Sequence, residues 1–183
     1  MEWVVAGVVL LLGIYLWWTA NRLDRLHWRV NASRAVLDAQ LLRRSGAALD
    51  LASGGLLDPA SAVLVADAAS RARIVEESAR EQAESDLTEA LGAALADPAY
   101  TASLRSMAGA GAALDELGAA CRRVGHARRF HNDTVRAARR LRRKVLVRWL
   151  GLAGRAPWPE TVELDDEVPR GLGGLPAGSG SAS

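Results

Sequence analysis

The chain has 183 residues, half of them hydrophobic, and a formal net charge of +2, which suits one domain with appendages and a modest core. Much of the apolar content is alanine, the strongest helix former, while aromatic and β-branched strand formers are scarce, so the composition argues against a sheet-based fold and for an all-α one. Cys121 is the single cysteine, which excludes an intramolecular disulfide and a cysteine cluster of zinc type, and fits a reducing compartment.

In chain order, the first element is "WVVAGVVLLLGIYLWWTA", residues 3–20. It carries no charge, and as a helix it reaches about 27 Å, close to the hydrocarbon thickness of a bilayer. Trp3 at one end and Tyr15, Trp17 and Trp18 at the other sit where amphipathic rings prefer the headgroup zone. A basic leader and a small-residue cleavage site are both missing, so the stretch reads as an anchor and not as a cleaved signal. Arg22, Arg25, Arg29, Arg34, Arg43 and Arg44 crowd its exit against Asp24 and Asp38, with Glu2 before it. The excess of positive charge predicts a single-pass protein of the cell membrane, N-terminus outside and everything after residue 21 cytoplasmic.

Leu23, Leu26, Val30, Leu37, Leu41 and Ala48 continue this element as an amphipathic first helix. It ends at "SGGLLDP", where Gly54 and Gly55 supply a C-cap and Asp58 and Pro59 open the next helix as N-cap and first residue. With no glycine or proline until Gly92, that second helix is expected over 59–96, a rod of about 57 Å. Asp97 and Pro98 repeat the same opening for a third helix, which "AGAGA" (108–112) can split at Gly109 or Gly111. The expected architecture is therefore an antiparallel bundle of three or four helices. Leu114, Leu117, Cys121, Val124, Ala127, His131, Val135, Ala138, Val145 and Trp149 form the buried stripe of the last segment, interrupted by Arg142 and stopped by Gly151, Gly154 and Pro157. Residues 1–21 are thus an anchor, 22–150 the bundle, 151–167 a Pro/Gly then acidic segment, and 168–183, "PRGLGGLPAGSGSAS" with the preceding valine, a disordered tail.

Helix two is acidic, with Asp67, Glu76, Glu77, Glu81, Glu84, Asp86 and Glu89, whereas the run from Arg122 to Arg148 is almost purely cationic. Pairing between these two helices is expected to set their register. Cys121, His126 and His131 advance by five residues each, so they point to different sides of one helix and share no metal or nucleophile; Cys121 and His131 belong to the core stripe. No phosphate loop or catalytic triad pattern is present, and no cofactor is implied. The basic run faintly resembles a leucine-zipper basic region, but Gly and Pro follow it where leucine heptads are required, and nucleic acid is an unlikely partner for an anchored chain. A bilayer surface is a better match for "LRRKVLVRWLGLAG" (141–154), with Arg139, Arg140, Arg142, Arg143, Lys144 and Trp149 as candidate lipid contacts. The difficulty is topological: a third of three antiparallel helices ends far from the bilayer, whereas the last of four returns to it.

"RVNASRAVLDAQLLRRSGAALDL" (29–51), "AESDLTEAL" (83–91) and "LDELGAACRRVGHARRFHNDTVRAAR" (114–139), in this order, resemble the successive helices of the LemA family of bacterial membrane proteins. The family hallmark is matched by Ala127, Arg128, Arg129, Phe130, His131, Asn132, Asp133 and Val135, with His131 where the family has tyrosine. The resemblance, to a divergent member, implies an N-terminal membrane helix, a cytoplasmic antiparallel bundle and no established catalysis. The function expected is that of a non-catalytic scaffold or interaction platform, with Arg128, Arg129, Asn132 and Asp133 as candidate contacts to an unidentified protein or a second copy. The alternative is a regulatory module that binds anionic lipid through the basic end of the last helix. No small-molecule substrate is implied.

Overall fold

The computed structural model describes residues 1–143 and 158–173. They are all-α, as the composition requires: α1 (Glu2–Ser53), α2 (Pro59–Ile74), α3 (Glu77–Ala94), α4 (Pro98–Arg105) and α5 (Ala110–Arg142), with an irregular stretch over 158–169 and a 3₁₀ turn at Arg170–Leu172. The helix openings follow the sequence grammar. Asp58 accepts the Ser61 amide at 3.0 Å and Asp97 the Ala99 amide at 2.8 Å, each with proline in the next position; these side chains satisfy donors that the first helical turn leaves unpaired. Gly55 and Gly109 take φ of +67° and +80°, the left-handed backbone that turns the chain after α1 and before α5.

One boundary differs from expectation. The helix predicted over 59–96 is two helices, because Val75 and Glu76 are extended, with ψ of 148° and 157°. No glycine or proline marks this corner. The physical reason lies in the faces that the break brings together: Val65, Ala68, Ala69 and Ala72 of α2 and Ala83, Leu87, Leu91 and Ala94 of α3 are all buried. Small side chains let two helix backbones approach closely, and folding back buries both stripes, which a straight rod would leave without a partner. Among the described residues there are consequently five α-helices, not three or four.

The chain divides into two compact units, and α1 and α5 each contribute to both. The larger comprises Leu37–Arg128 and Glu163–Ser183. Its core is leucine and alanine from α1 (Ala48, Leu51), α2, α3, α4 (Leu104) and α5 (Leu114, Leu117, Cys121), closed by Leu172. One ion pair lies within it: Arg44 donates to Glu84 Oε2 at 2.6 Å and to the Glu84 carbonyl at 2.8 Å, both side chains being 1% exposed. Arg44 also donates to Thr88 Oγ1, whose hydroxyl reaches the Asp165 carbonyl at 2.7 Å. Burial raises the Glu84 carboxyl above its ordinary value, and the Arg44 guanidinium opposes that rise without cancelling it.

Residues 168–173, expected to begin a disordered tail, are instead packed in this unit. Leu172 is fully buried, Pro169 is buried, and the Gly171 amide donates to the Leu95 carbonyl at 3.0 Å. A Cβ on Gly171 would lie 2.7 Å from that carbonyl oxygen, so glycine permits the approach. The rest of the expected tail, 174–183, lies outside the described residues, as do 144–157.

The smaller unit comprises Met1–Val36 and Arg129–Val162. In it, Glu2–Thr19 of α1 is an 18-residue segment of mean hydropathy 1.6, with 7% of its described residues buried, long and apolar enough to cross a membrane. His131, Asn132, Val135, Ala138, Leu141 and Arg142 are the buried positions of α5 here; His131, Val135 and Ala138 lie on the stripe predicted by its periodicity, and Asn132, Leu141 and Arg142 widen it.

Candidate functional site: a cationic groove at the foot of the apolar segment

Trp18, Arg22, Arg25 and Arg29 are spaced by four, three and four residues, which places them on one face of α1. Across from them, within the same unit, α5 presents Ala137, Arg140 and Leu141. Together with Leu26 these residues line a groove of about 490 Å³. Its four guanidinium groups belong to exposed residues, while Leu26 and Ala137 are half-buried and Leu141 is buried, so the groove is charged along its sides and apolar beneath. The Arg22 guanidinium lies 5.5 Å from the centre of the Trp18 ring, within reach of the attraction between a cation and an aromatic face. Arg25, Arg29 and Arg140 have no ion-pair or hydrogen-bond partner among the described residues.

The other candidate lipid contacts take different roles. Arg139 donates through Nε to the Pro159 carbonyl at 2.7 Å. Arg142 is 9% exposed, and its guanidinium lies 5.8 Å from the Trp158 ring centre. Both therefore hold the segment after α5. Arg143 is exposed, and Lys144 and Trp149 lie outside the described residues.

The hallmark residues are likewise divided. Asn132, 3% exposed, donates to the Val162 carbonyl at 3.0 Å and accepts the Val162 amide at 2.9 Å, pairing with that backbone as a strand neighbour would. His131 is 2% exposed and bridges two segments, with Nδ1 at 2.9 Å from Ser33 Oγ and Nε2 at 3.3 Å from the Glu160 carbonyl. Asp133 is exposed and pairs with Arg136 at 2.9 Å, and Arg129 is exposed. In the larger unit, Arg128 meets Asp166 through two hydrogen bonds of 2.9 and 3.1 Å. Where pairing of the last helix with the acids of helix two was expected, Arg128 turns to the C-terminal acidic segment, and Glu84 is met by α1. An arginine fork on a carboxylate needs both N–H groups in one plane, and here Nε and Nη2 of Arg128 reach the two carboxylate oxygens of Asp166.

Cys121 is 2% exposed and joins the core as predicted, and burial raises its thiol above the ordinary value. No group of three His, Cys, Asp or Glu side chains able to hold a metal occurs among the described residues. What the groove can do is bind: guanidinium groups match phosphate and carboxylate oxygens in shape and charge. The sequence used Arg22, Arg25 and Arg29 only to orient the chain; their shared face was legible in the spacing, but Arg140 joins them only because α5 returns to the foot of the apolar segment, the topology that the split at Gly109 allows. Comparison of the chain with models of protein families, with curated proteins and with solved structures finds no match.

Proposed function

We propose that this chain is a single-pass membrane protein of LemA type, anchored by Glu2–Thr19, whose helices form a cytoplasmic, non-catalytic platform for a protein partner or a second copy. The observation that carries the reading is the contrast along α1: an apolar segment exposed on nearly all sides runs without a break into a part whose Leu37, Leu41, Ala48 and Leu51 are buried. Left in water, Val4, Val9, Leu10 and Leu11 and the aromatic rings at both ends of the segment form an apolar surface that a bilayer would cover. The arginines after residue 21 support a cytoplasmic bundle. The order of motifs resembling the LemA family supports the same architecture. On α5, Phe130, Arg129 and Asp133 are exposed whereas Asn132 is buried, so the partner-facing surface centres on those three.

Two measurements test this. The full chain should remain in the membrane pellet after alkaline carbonate extraction; release into the supernatant would refute the anchor. A reporter that is active only when exported, fused after Ser183, should be silent, and activity would reverse the orientation.

A further inference from the structure

We infer that the groove between α1 and α5 is a binding site for the phosphate of an anionic phospholipid headgroup. The inference rests on the membrane reading of Glu2–Thr19 and adds to it a specific lipid site. If that segment spans the hydrocarbon, the ring of Trp18 lies at its boundary and Arg22 about 6 Å further out, within the headgroup layer, which is about 5–7 Å deep on each side. Arg25 follows at about 10 Å and reaches back along its own aliphatic stem, as arginine does at interfaces. Arg29 stands at the outer lip, placed for a headgroup that carries further negative charge. A flank that served orientation alone would need these three arginines and nothing more. The groove has a fourth, Arg140, supplied by a different helix, together with an apolar floor of Leu26, Ala137 and Leu141 and the Trp18 ring. At about 490 Å³ it is of a size that takes small ligands. Charged walls over an apolar floor suit a group that is anionic at one end and acylated at the other. The absence of an intrachain partner for Arg25, Arg29 and Arg140 among the described residues leaves their donors available.

The test uses the full chain reconstituted into nanodiscs of phosphatidylcholine with or without phosphatidylglycerol, and counts the lipids retained on release by native mass spectrometry. Wild-type protein should retain phosphatidylglycerol in preference to phosphatidylcholine. Arg140→Gln should reduce that preference about fivefold, the effect of about one cationic contact at a membrane surface, and Arg22→Gln with Arg25→Gln should reduce it further. Arg136→Gln removes the same charge from the same helix outside the groove and should leave retention unchanged. Equal losses in Arg140→Gln and Arg136→Gln would overturn the site in favour of diffuse surface charge, and so would the lack of any preference in the wild type. Displacement of phosphatidylglycerol by millimolar inorganic phosphate would assign the groove to a soluble anion and refute the lipid. Should Arg140→Gln lose helical circular dichroism, Arg140→Lys serves instead, since it keeps the charge without the fork: intermediate retention supports the site, and wild-type retention overturns it. Failure of the wild-type chain to enter the discs would sink the membrane reading itself, a different outcome from entry without lipid preference.

Discussion

The two compact units solve the problem of holding an alanine-rich chain together in different ways. In the larger, the interior is leucine against alanine, with one charged pair set inside it. In the smaller, the buried face of α5 includes His131 and Asn132, which meet Ser33 of α1 and the backbone of residues 160–162. Apolar burial is proportional to area and indifferent to direction, whereas hydrogen bonds fix a path. The comparison teaches that stability in the first unit comes from packing, and that in the second the route of the segment after α5 is specified by polar contacts.

The largest effect should come from the charged pair that the larger unit buries among its apolar side chains. Arg44→Met leaves the Glu84 carboxyl without its cation in the core, which should lower unfolding free energy by about 3–5 kcal/mol at neutral pH, measured by chemical denaturation in micelles. The pH dependence has a definite sign. Because burial raises the folded-state value of Glu84, the folded state holds its proton to higher pH than the unfolded chain does. The associated stability is therefore full below the unfolded carboxylate value and is lost as pH rises through the raised one. Arg44→Met removes the opposing pull of the guanidinium, so its deficit should shrink on acidification, while Glu84→Gln should flatten this part of the profile and destabilise less than Arg44→Met. A deficit for Arg44→Met that grows at acid pH would contradict the account.

Next in size is the plug. Leu172→Ala should cost about 2–3 kcal/mol, at the lower end for a buried leucine because a site near a chain end can collapse. Gly171→Ala should detach the same turn, since the added methyl meets the Leu95 carbonyl, and limited proteolysis after Arg170 should accelerate in both variants. In the polar unit, Asn132→Ala removes both hydrogen bonds to Val162 and should cost about 1–3 kcal/mol. Its signature should be local: faster hydrogen exchange at the Val162 amide with the α2 and α3 amides unchanged. The smallest change should come from Arg128→Gln, about 1 kcal/mol for a partly exposed ion pair, read as a small shift in denaturation midpoint that high salt diminishes. If Asn132→Ala proved more damaging than Leu172→Ala, the division between packing and path would be wrong.

Much of this fold was legible because local chemistry dictates it. Asp58 with Pro59 and Asp97 with Pro98 state helix openings in residues that can do little else, and the stripe from Leu114 to Ala138 states a buried face. The corner at Val75 and Glu76 was not legible, since nothing local forbids helix there; it is set by two alanine faces finding each other. Leu172 was hidden for the opposite reason. Its neighbours are glycines and prolines, whose composition resembles a loose tail, and only a view of Thr101 and Leu95 shows that Gly171 is there for close approach. The groove falls between these cases. The face shared by Trp18, Arg22, Arg25 and Arg29 follows from counting, but the arrival of Arg140 depends on how many times the chain turns back, which periodicity does not say.

The chain has a single thiol, and it is shielded: Cys121 is 2% exposed, with its ionisation held back by burial. Thiol reagents attack the ionised, accessible form, so the folded chain is nearly silent towards them as it stands. A membrane-impermeant maleimide can therefore be read against a cysteine placed at exposed Trp28 or Phe130 in the otherwise native sequence. The protein supplies its own unreactive background for mapping, residue by residue, which compartment each face of α1 and α5 meets.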